Sequence, residues 1–191
     1  MSTASIHRVV GVDSSLASTG VASWILADRG VGPELVGAEA IVTTALGNTH
    51  ADRARRVKRI AREVELWTRY SDTLLVIEGL GFSRGSTTNA SDLAHLWWTV
   101  ISRHLDYGGQ VAIVPPTTLK KWTTGVGNCD KAAVGAVVAR LCPQVAITSS
   151  DISDALALSL LGQHLLGWRD EPAAYRRDAL TKVAWANGEP A

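Results

Sequence analysis

Two short, wholly apolar runs constrain the fold of this chain more than any other feature of its sequence. Residues 74–77 (LLVI) and 111–114 (VAIV) each follow a segment in which apolar residues recur with helical spacing. Runs of this length and composition are typical of strands that are buried on both faces of a sheet. A helix followed by a buried strand, twice over, predicts a domain of the α/β class.

Other apolar and periodic segments complete a predicted order of β-β-β-α-β-α-β-α-α. Two β-branched runs joined by small polar residues predict an opening hairpin, and a third run follows a glycine- and proline-rich turn. The additional strands cover residues 9–13, 20–26 and 35–42. The first helix begins near Thr49, and the other three cover about residues 91–105, 130–141 and 150–166.

The length and composition of the chain predict one compact domain. It has 191 residues, of which 46% are hydrophobic, and this is enough to bury a substantial core. No internal repeat or linker occurs before about Gly167. We therefore expect one domain over residues 1–167 and a C-terminal tail over residues 168–191 that holds a short helix.

The charge is unevenly distributed. The net charge is only +1, but the segment from Arg53 to Arg69 contains seven basic residues and two acidic ones. Such a basic segment indicates a polyanionic partner, and it is equally consistent with a solvated helix face.

The two cysteines and the hydropathy pattern predict the compartment. Cys129 and Cys142 bracket one predicted helix, which separates them by roughly 20 Å, too far for a disulfide. No apolar run reaches the roughly 18 residues of a membrane span, and the first residues do not form a signal peptide. We expect a soluble cytoplasmic protein with reduced thiols and no membrane partner.

Four acidic residues occupy positions in which a folded domain does not ordinarily place a charge. Asp13 and Glu78 end apolar strands, and Asp151 and Asp154 lie three residues apart at the start of a helix. Burying an unpaired carboxylate costs free energy, so a cluster of buried carboxylates is expected to bind cations. Carboxylate oxygens suit two hard divalent cations, which could activate a water for the hydrolysis of a phosphodiester. Asp13 alone could instead cap a turn, and Asp151 and Asp154 could instead complement a helix N-terminus. The residues by themselves predict a divalent-metal site.

Four motifs, in order and at comparable spacing, give the chain a resemblance to RuvC-like Holliday-junction resolvases. The matching segments are residues 11–20 (GVDSSLASTG), 76–78 (VIE), 120–131 (KKWTTGVGNCDK) and 151–158 (DISDALAL). The resemblance implies an RNase H-like fold with a mixed central sheet, three antiparallel strands followed by parallel strands, flanked by helices. It also implies a homodimer that nicks opposed strands of a four-way DNA junction with Mg²⁺ or Mn²⁺, two ions per site.

The resemblance also implies roles for individual residues. By position it assigns metal binding and catalysis to the four acids, a catalytic and DNA-binding role to Lys131, and DNA contact to Lys120. Phe82 and Arg84, in the loop after the second acid, are further candidates for DNA contact, although the offset of Phe82 from Glu78 departs from the family. Ser14 and Ser15 replace the family's usual Pro-Gly. These departures suggest a divergent member of the family. The resemblance implies a location in a bacterium or a phage-infected cell, in association with the nucleoid.

The predicted second helix supports a dimer independently. Leu93, Trp97 and Val100 lie on one side of it, and Trp98 and Ile101 extend the apolar surface to another. One domain covers only one face of a helix, so the other face is expected to meet a second subunit.

Three alternatives stay open at this point. A fork, flap or RNA–DNA hybrid nuclease of the same fold fits the metal site equally well. A catalytically silent junction-binding protein would not need all four acids. An ATPase of the acetate kinase and Hsp70 type shares the opening hairpin, but it requires a second domain and a second phosphate loop.

Overall fold

The computed structural model describes residues 5–27, 32–81, 87–170 and 173–188. Within these ranges the strands are β1 (Arg8–Asp13), β2 (Ser18–Leu26), β3 (Pro33–Val42), β4 (Thr73–Glu78), β5 (Gln110–Val114) and β6 (Ala184–Trp185). The helices are α1 (His50–Thr68), α2 (Thr87–Asp106), α3 (Pro116–Thr124), α4 (Lys131–Leu141), α5 (Ser150–Leu165) and α6 (Ala174–Leu180).

The strands form one mixed sheet in the order β3-β2-β1-β4-β5-β6. The first three strands pair antiparallel, β4 and β5 continue parallel to β1, and β6 is antiparallel to β5. The predicted α/β class and the mixed sheet flanked by helices are therefore confirmed.

Successive side chains along each strand point to opposite faces of the sheet, so the strands contribute to two hydrophobic cores, one on each face. Val9 and Val76 point to one face, and Val10 and Ile77 point to the other. Helices α1 and α2 cover the second face, whereas α3, α4, α5 and α6 contribute to the first. Because β1 and β4 are covered on both sides, their apolar runs are continuous rather than alternating.

Helix α5 is buried almost all round and lies unusually close to the sheet. A Cβ atom on Gly11 would stand 2.1 Å from the Ala155 carbonyl oxygen, and one on Gly20 would stand 2.0 Å from that of Asp151. Contacts this short leave no room for a side chain. The two glycines of the first motif thus let α5 approach β1 and β2.

Helix α3 and strand β6 lie outside the predicted order of elements. Pro116 occupies the start of α3, where its missing N–H costs nothing, so the Pro-Pro pair ends β5 and also begins a helix. The helix ends at Gly125, whose φ of 85° is in the left-handed region. Strand β6 has two residues, too few to show any periodicity.

The C-terminal elements pack against the rest of the chain. The Lys121 ammonium pairs with the Asp178 carboxylate of α6, and the Arg176 guanidinium lies over the Trp122 ring. Strand β6 extends the sheet beside β5. The proposed division between residues 167 and 168 stays a prediction.

Both cysteines are free, and α4 lies between them, as predicted. None of the helices within the described ranges is long and apolar enough to span a membrane.

Candidate metal centre

Asp13 and Glu78 end two neighbouring parallel strands. Val12 is in register with Ile77, and each acid is the next residue along its strand. Parallel strands end at the same edge of a sheet, so both carboxyl groups lie at that edge. Asp13 is 8% exposed, and Glu78 is half-buried.

Helix α5 brings the other two acids to the same edge. The close contact of Gly20 with the Asp151 backbone fixes the start of α5 against β2, beside the end of β1. The N-terminal cap is made by Ser149, whose hydroxyl accepts the Ile152 N–H at 3.3 Å. Neither Asp151 nor Asp154 is the cap, although Asp151 lies in the first turn, where a negative charge complements the helix N-terminus.

The carboxyl groups interact electrostatically. Burial, followed by the charges of Glu78 and Asp154, raises the pKa of Asp13 to about 7. Burial and the charge of Asp154 raise the pKa of Glu78 to about 7 as well. Burial also raises the pKa of Asp154. A bound cation would relieve the desolvation and repulsion that cause these shifts.

Two lysines reach the cluster from α3 and α4. The Lys131 ammonium stands 3.5 Å from the Asp154 carboxylate. Burial alone would lower the pKa of Lys131, but the charges of Asp154, Asp13 and Asp151 hold it above its ordinary value. The positive charge of Lys120 acts on Glu78 and Asp154.

The donor set suits a divalent metal of the oxygen-preferring kind, since it consists of carboxylates with no thiol or imidazole. In the described ranges, no three His, Cys, Asp or Glu side chains stand close enough to hold one ion as they lie. Ligation therefore requires side-chain rotation, and the Lys131 contact is one interaction that holds Asp154 in its present position.

A cavity of about 640 Å³ opens beside the cluster. Asp13, Asp151 and Lys131 line it, together with Ser14 and Arg56. The Ser14 hydroxyl oxygen is buried and has no hydrogen-bond partner among the described residues. The sequence gives neither residue a specific signal for this site: Ser14 departs from the family's usual Pro-Gly, and Arg56 is one of seven basic residues in its segment.

Helix α2 holds the end of β4 in place. The Trp97 indole N–H donates to the Glu78 carbonyl oxygen at 2.8 Å, and Trp98 packs edge-on against Trp97. The predicted DNA contacts Phe82 and Arg84 lie outside the described residues.

Known proteins resemble this chain over most of its length. The family model for crossover junction endodeoxyribonuclease RuvC matches residues 9–162. The RuvC of Frankia alni is 30% identical over 187 residues, which cover 96% of this chain and 89% of that protein. The RuvC of Cutibacterium acnes is 31% identical over 170 residues, covering 86% and 80% respectively.

Solved structures agree in fold. The RuvC of Thermus thermophilus in complex with a Holliday junction substrate superimposes with a TM-score of 0.65 at 22% identity, covering 81% of this chain and 91% of that one. A second structure of Thermus thermophilus RuvC gives a TM-score of 0.63 at 22% identity, covering 80% of this chain and 91% of that one. With the family match over residues 9–162, this chain belongs to the RuvC family of crossover junction endodeoxyribonucleases, which are divalent-metal-dependent hydrolases.

Proposed function

We propose that the protein resolves four-way DNA junctions by paired nicks, with its active site at the ends of β1 and β4 and the start of α5. The observation that carries the proposal is the meeting of four acids from three separate elements at one sheet edge, beside an open cavity. The raised pKa values of Asp13 and Glu78 support the same assignment, because strongly perturbed groups in a cleft are typical of functional sites.

Asp13, Glu78, Asp151 and Asp154 would hold two Mg²⁺ or Mn²⁺ ions. When bound, such ions supply a nucleophilic water at neutral pH and stabilise the leaving oxygen of a phosphodiester. Lys131 neutralises part of the carboxylate charge through its contact with Asp154. In this proposal Lys120 and Lys131 would contact phosphates of the DNA.

A four-way junction is the proposed substrate because the Thermus thermophilus relative is known in complex with one. The cavity beside the acids is open, so an extended strand can enter it. A phosphate backbone carries negative charge at every nucleotide, and the lysines at the rim offset the repulsion from the acids.

A homodimer would supply the second nick. Trp98 is 61% exposed on α2, a large apolar surface for a protein side chain to leave in water. Ile101, by contrast, is buried in the core of the subunit, so Trp98 alone carries the expected second face. Trp98 also touches Trp97, which holds Glu78, and a dimer contact there would lie directly behind the active site.

The test is cleavage of end-labelled substrates: a four-way junction, a replication fork, a linear duplex and an RNA–DNA hybrid, each with Mg²⁺, with Mn²⁺ and with EDTA. We expect symmetric nicks in the junction that require metal, with the other substrates cut at least about tenfold more slowly.

Each alternative gives a different result in the same assay. Preferential cutting of the fork or the hybrid would replace the junction as substrate while keeping the metal site. Tight junction binding with no cleavage under either metal would identify a silent binding protein and contradict the proposal.

A further inference from the structure

Arg56 differs from Arg53 and Arg55 on α1 because no carboxylate pairs with it within the described ranges. Arg53 pairs with Asp92 at 2.6 Å, and Arg55 pairs with Asp52 at 3.0 Å. Within the described ranges, no acid pairs with Arg56. Its positive charge is therefore not compensated by a neighbouring side chain, and the residue lines the same cavity as Asp13.

The Arg56 guanidinium is nevertheless held in place. Its Nη2 donates to the Thr43 carbonyl oxygen at 2.9 Å, and its Nε donates to the Thr43 hydroxyl at 3.1 Å. Thr43 is itself buried and fixed, because its hydroxyl donates to the Leu16 carbonyl and its N–H to the Ala17 carbonyl. Both carbonyls belong to the turn that follows Asp13 along the chain.

These contacts use only part of the hydrogen-bonding capacity of the side chain. A guanidinium has five N–H groups, and the contacts with Thr43 occupy two of them. Because the side chain is already ordered, a ligand that binds the others costs little additional conformational entropy. A planar fork of N–H donors matches the oxygens of a phosphate.

We propose that Arg56 binds a backbone phosphate that neighbours the cleaved phosphate in the same DNA strand. This contact sets where the strand lies over the four acids. The inference rests on the proposed junction function. Arg56 lines the same cavity as Asp13 and Asp151, so one strand in the cavity can present a phosphate to the acids and another to Arg56. The buried Ser14 hydroxyl, without a protein partner in the described ranges, also lines the cavity and offers a further donor.

The experiment compares Arg56→Gln with Arg55→Gln. Both variants lose one positive charge at adjacent positions, but Arg55 is exposed and borders a different cavity, with Lys58 and Arg59. Binding of a fluorescent four-way junction is measured in Ca²⁺ over a range of NaCl concentrations, with melting temperatures as a check on folding.

Arg56→Gln should weaken junction binding about tenfold. It should also reduce the slope of log affinity against log salt by about 0.7–0.9, the contribution of one phosphate contact. Arg55→Gln should leave the slope within error of the wild type. Equal slopes for wild type and Arg56→Gln, or equal losses in both variants, would overturn the assignment.

Arg56→Lys covers the case in which Arg56→Gln does not fold. It keeps the charge and loses the fork, so we expect a wild-type salt slope with weaker binding and a shifted or less uniform cleavage position. Unchanged affinity and unchanged cleavage position would contradict the inference. Failure of the proposed function is distinguishable, because it would appear as wild-type protein that does not cut the junction at all.

Discussion

Asp13 and Glu78 occupy equivalent positions at the ends of adjacent parallel strands, one residue beyond the registered pair Val12 and Ile77. At this edge burial, with the charges of Glu78 and Asp154, raises the pKa of Asp13 to about 7, and burial with the charge of Asp154 raises the pKa of Glu78 to about 7. The site is costly for the protein without a cation, and much of its expected behaviour follows from that cost.

The stability of the protein in EDTA should fall as pH rises from 5 to 8. Both carboxyls bind a proton more tightly in the folded state than in the unfolded chain, where their pKa values are ordinary. The folded state therefore holds more protons between about pH 4.5 and 7, and the free energy of unfolding decreases through that window. We expect the melting temperature to fall by on the order of 5 °C.

Glu78→Gln is the comparison for this pH dependence, because it removes one of the two titrating groups and should flatten the curve. Burial lowers the pKa of His104, which makes stability rise with pH near 6.5, but that effect is common to both proteins. A steeper or unchanged fall in Glu78→Gln would show that the site acids are not its source.

Divalent metal should stabilise the folded protein by mass action. At a hundred times the dissociation constant the gain is about 2.7 kcal/mol, which corresponds to very roughly 5–10 °C for a domain of this length. Asp154→Asn removes a repelling charge, so it should stabilise the protein in EDTA and respond less to metal. Thermal melts in EDTA, Mg²⁺ and Mn²⁺ measure both effects, and no shift in the wild type with either metal would remove the main physical support for the site.

Gly20→Ala should disturb the site without touching any acid. Its Cβ would stand 2.0 Å from the Asp151 carbonyl oxygen, a backbone atom that cannot rotate away, so the start of α5 must move. We expect a loss of about 1–3 kcal/mol in stability and a weaker response to metal. Unfolding in urea measures the first and thermal shift the second.

Gly135→Ala is the matched control for Gly20→Ala. Gly135 lies inside α4, and its Cβ would meet only the Ser153 hydroxyl, at 3.8 Å. Alanine is favoured over glycine in a helix by roughly 0.5–1 kcal/mol, so this variant should be slightly more stable and keep its metal response. Equal stability losses in both variants would mean that the close approach of α5 is not the cause.

Some of this arrangement could be predicted from the sequence, because the apolar runs that form β1 and β4 end in Asp13 and Glu78. The paired acids at the start of α5 were equally visible. The closeness of the strand acids to the acids of α5 could not be predicted, because it depends on Gly11 and Gly20, which leave space for α5 against the sheet. The spacing of residues along the chain does not reveal such tertiary contacts.

Other features were hidden for different reasons. Helix α3 was missed because Pro115 and Pro116 indicate the end of a strand, whereas a proline can equally occupy the first turn of a helix. Arg56 has the same sequence signal as its neighbours on α1, because what distinguishes it is tertiary: its hydrogen bonds to Thr43 and its position in the cavity that Asp13 lines.

Trp98→Ala should dissociate the proposed dimer. Removing a large exposed indole from the centre of an interface commonly costs 2 kcal/mol or more, so the dissociation constant should rise at least about thirtyfold. Val126→Ala, at an exposed apolar residue in the segment after α3, is the control. Sedimentation equilibrium separates the outcomes, and a wild-type protein that is monomeric at micromolar concentration yet fully active would contradict the dimer.

The most direct test of the metal centre is the rate of junction cleavage by Glu78→Gln beside that of Glu34→Gln, an identical chemical change at an exposed residue of β3. Rates and junction affinities are measured with saturating Mg²⁺ and Mn²⁺. We expect Glu78→Gln to bind the junction with wild-type affinity and to cut it about a thousandfold more slowly or not at all, because a ligand charge worth several kcal/mol in the transition state is gone. Glu34→Gln should cut at the wild-type rate. Cleavage by Glu78→Gln at the wild-type rate would contradict the assignment of the catalytic metals to the edge where β1, β4 and α5 meet.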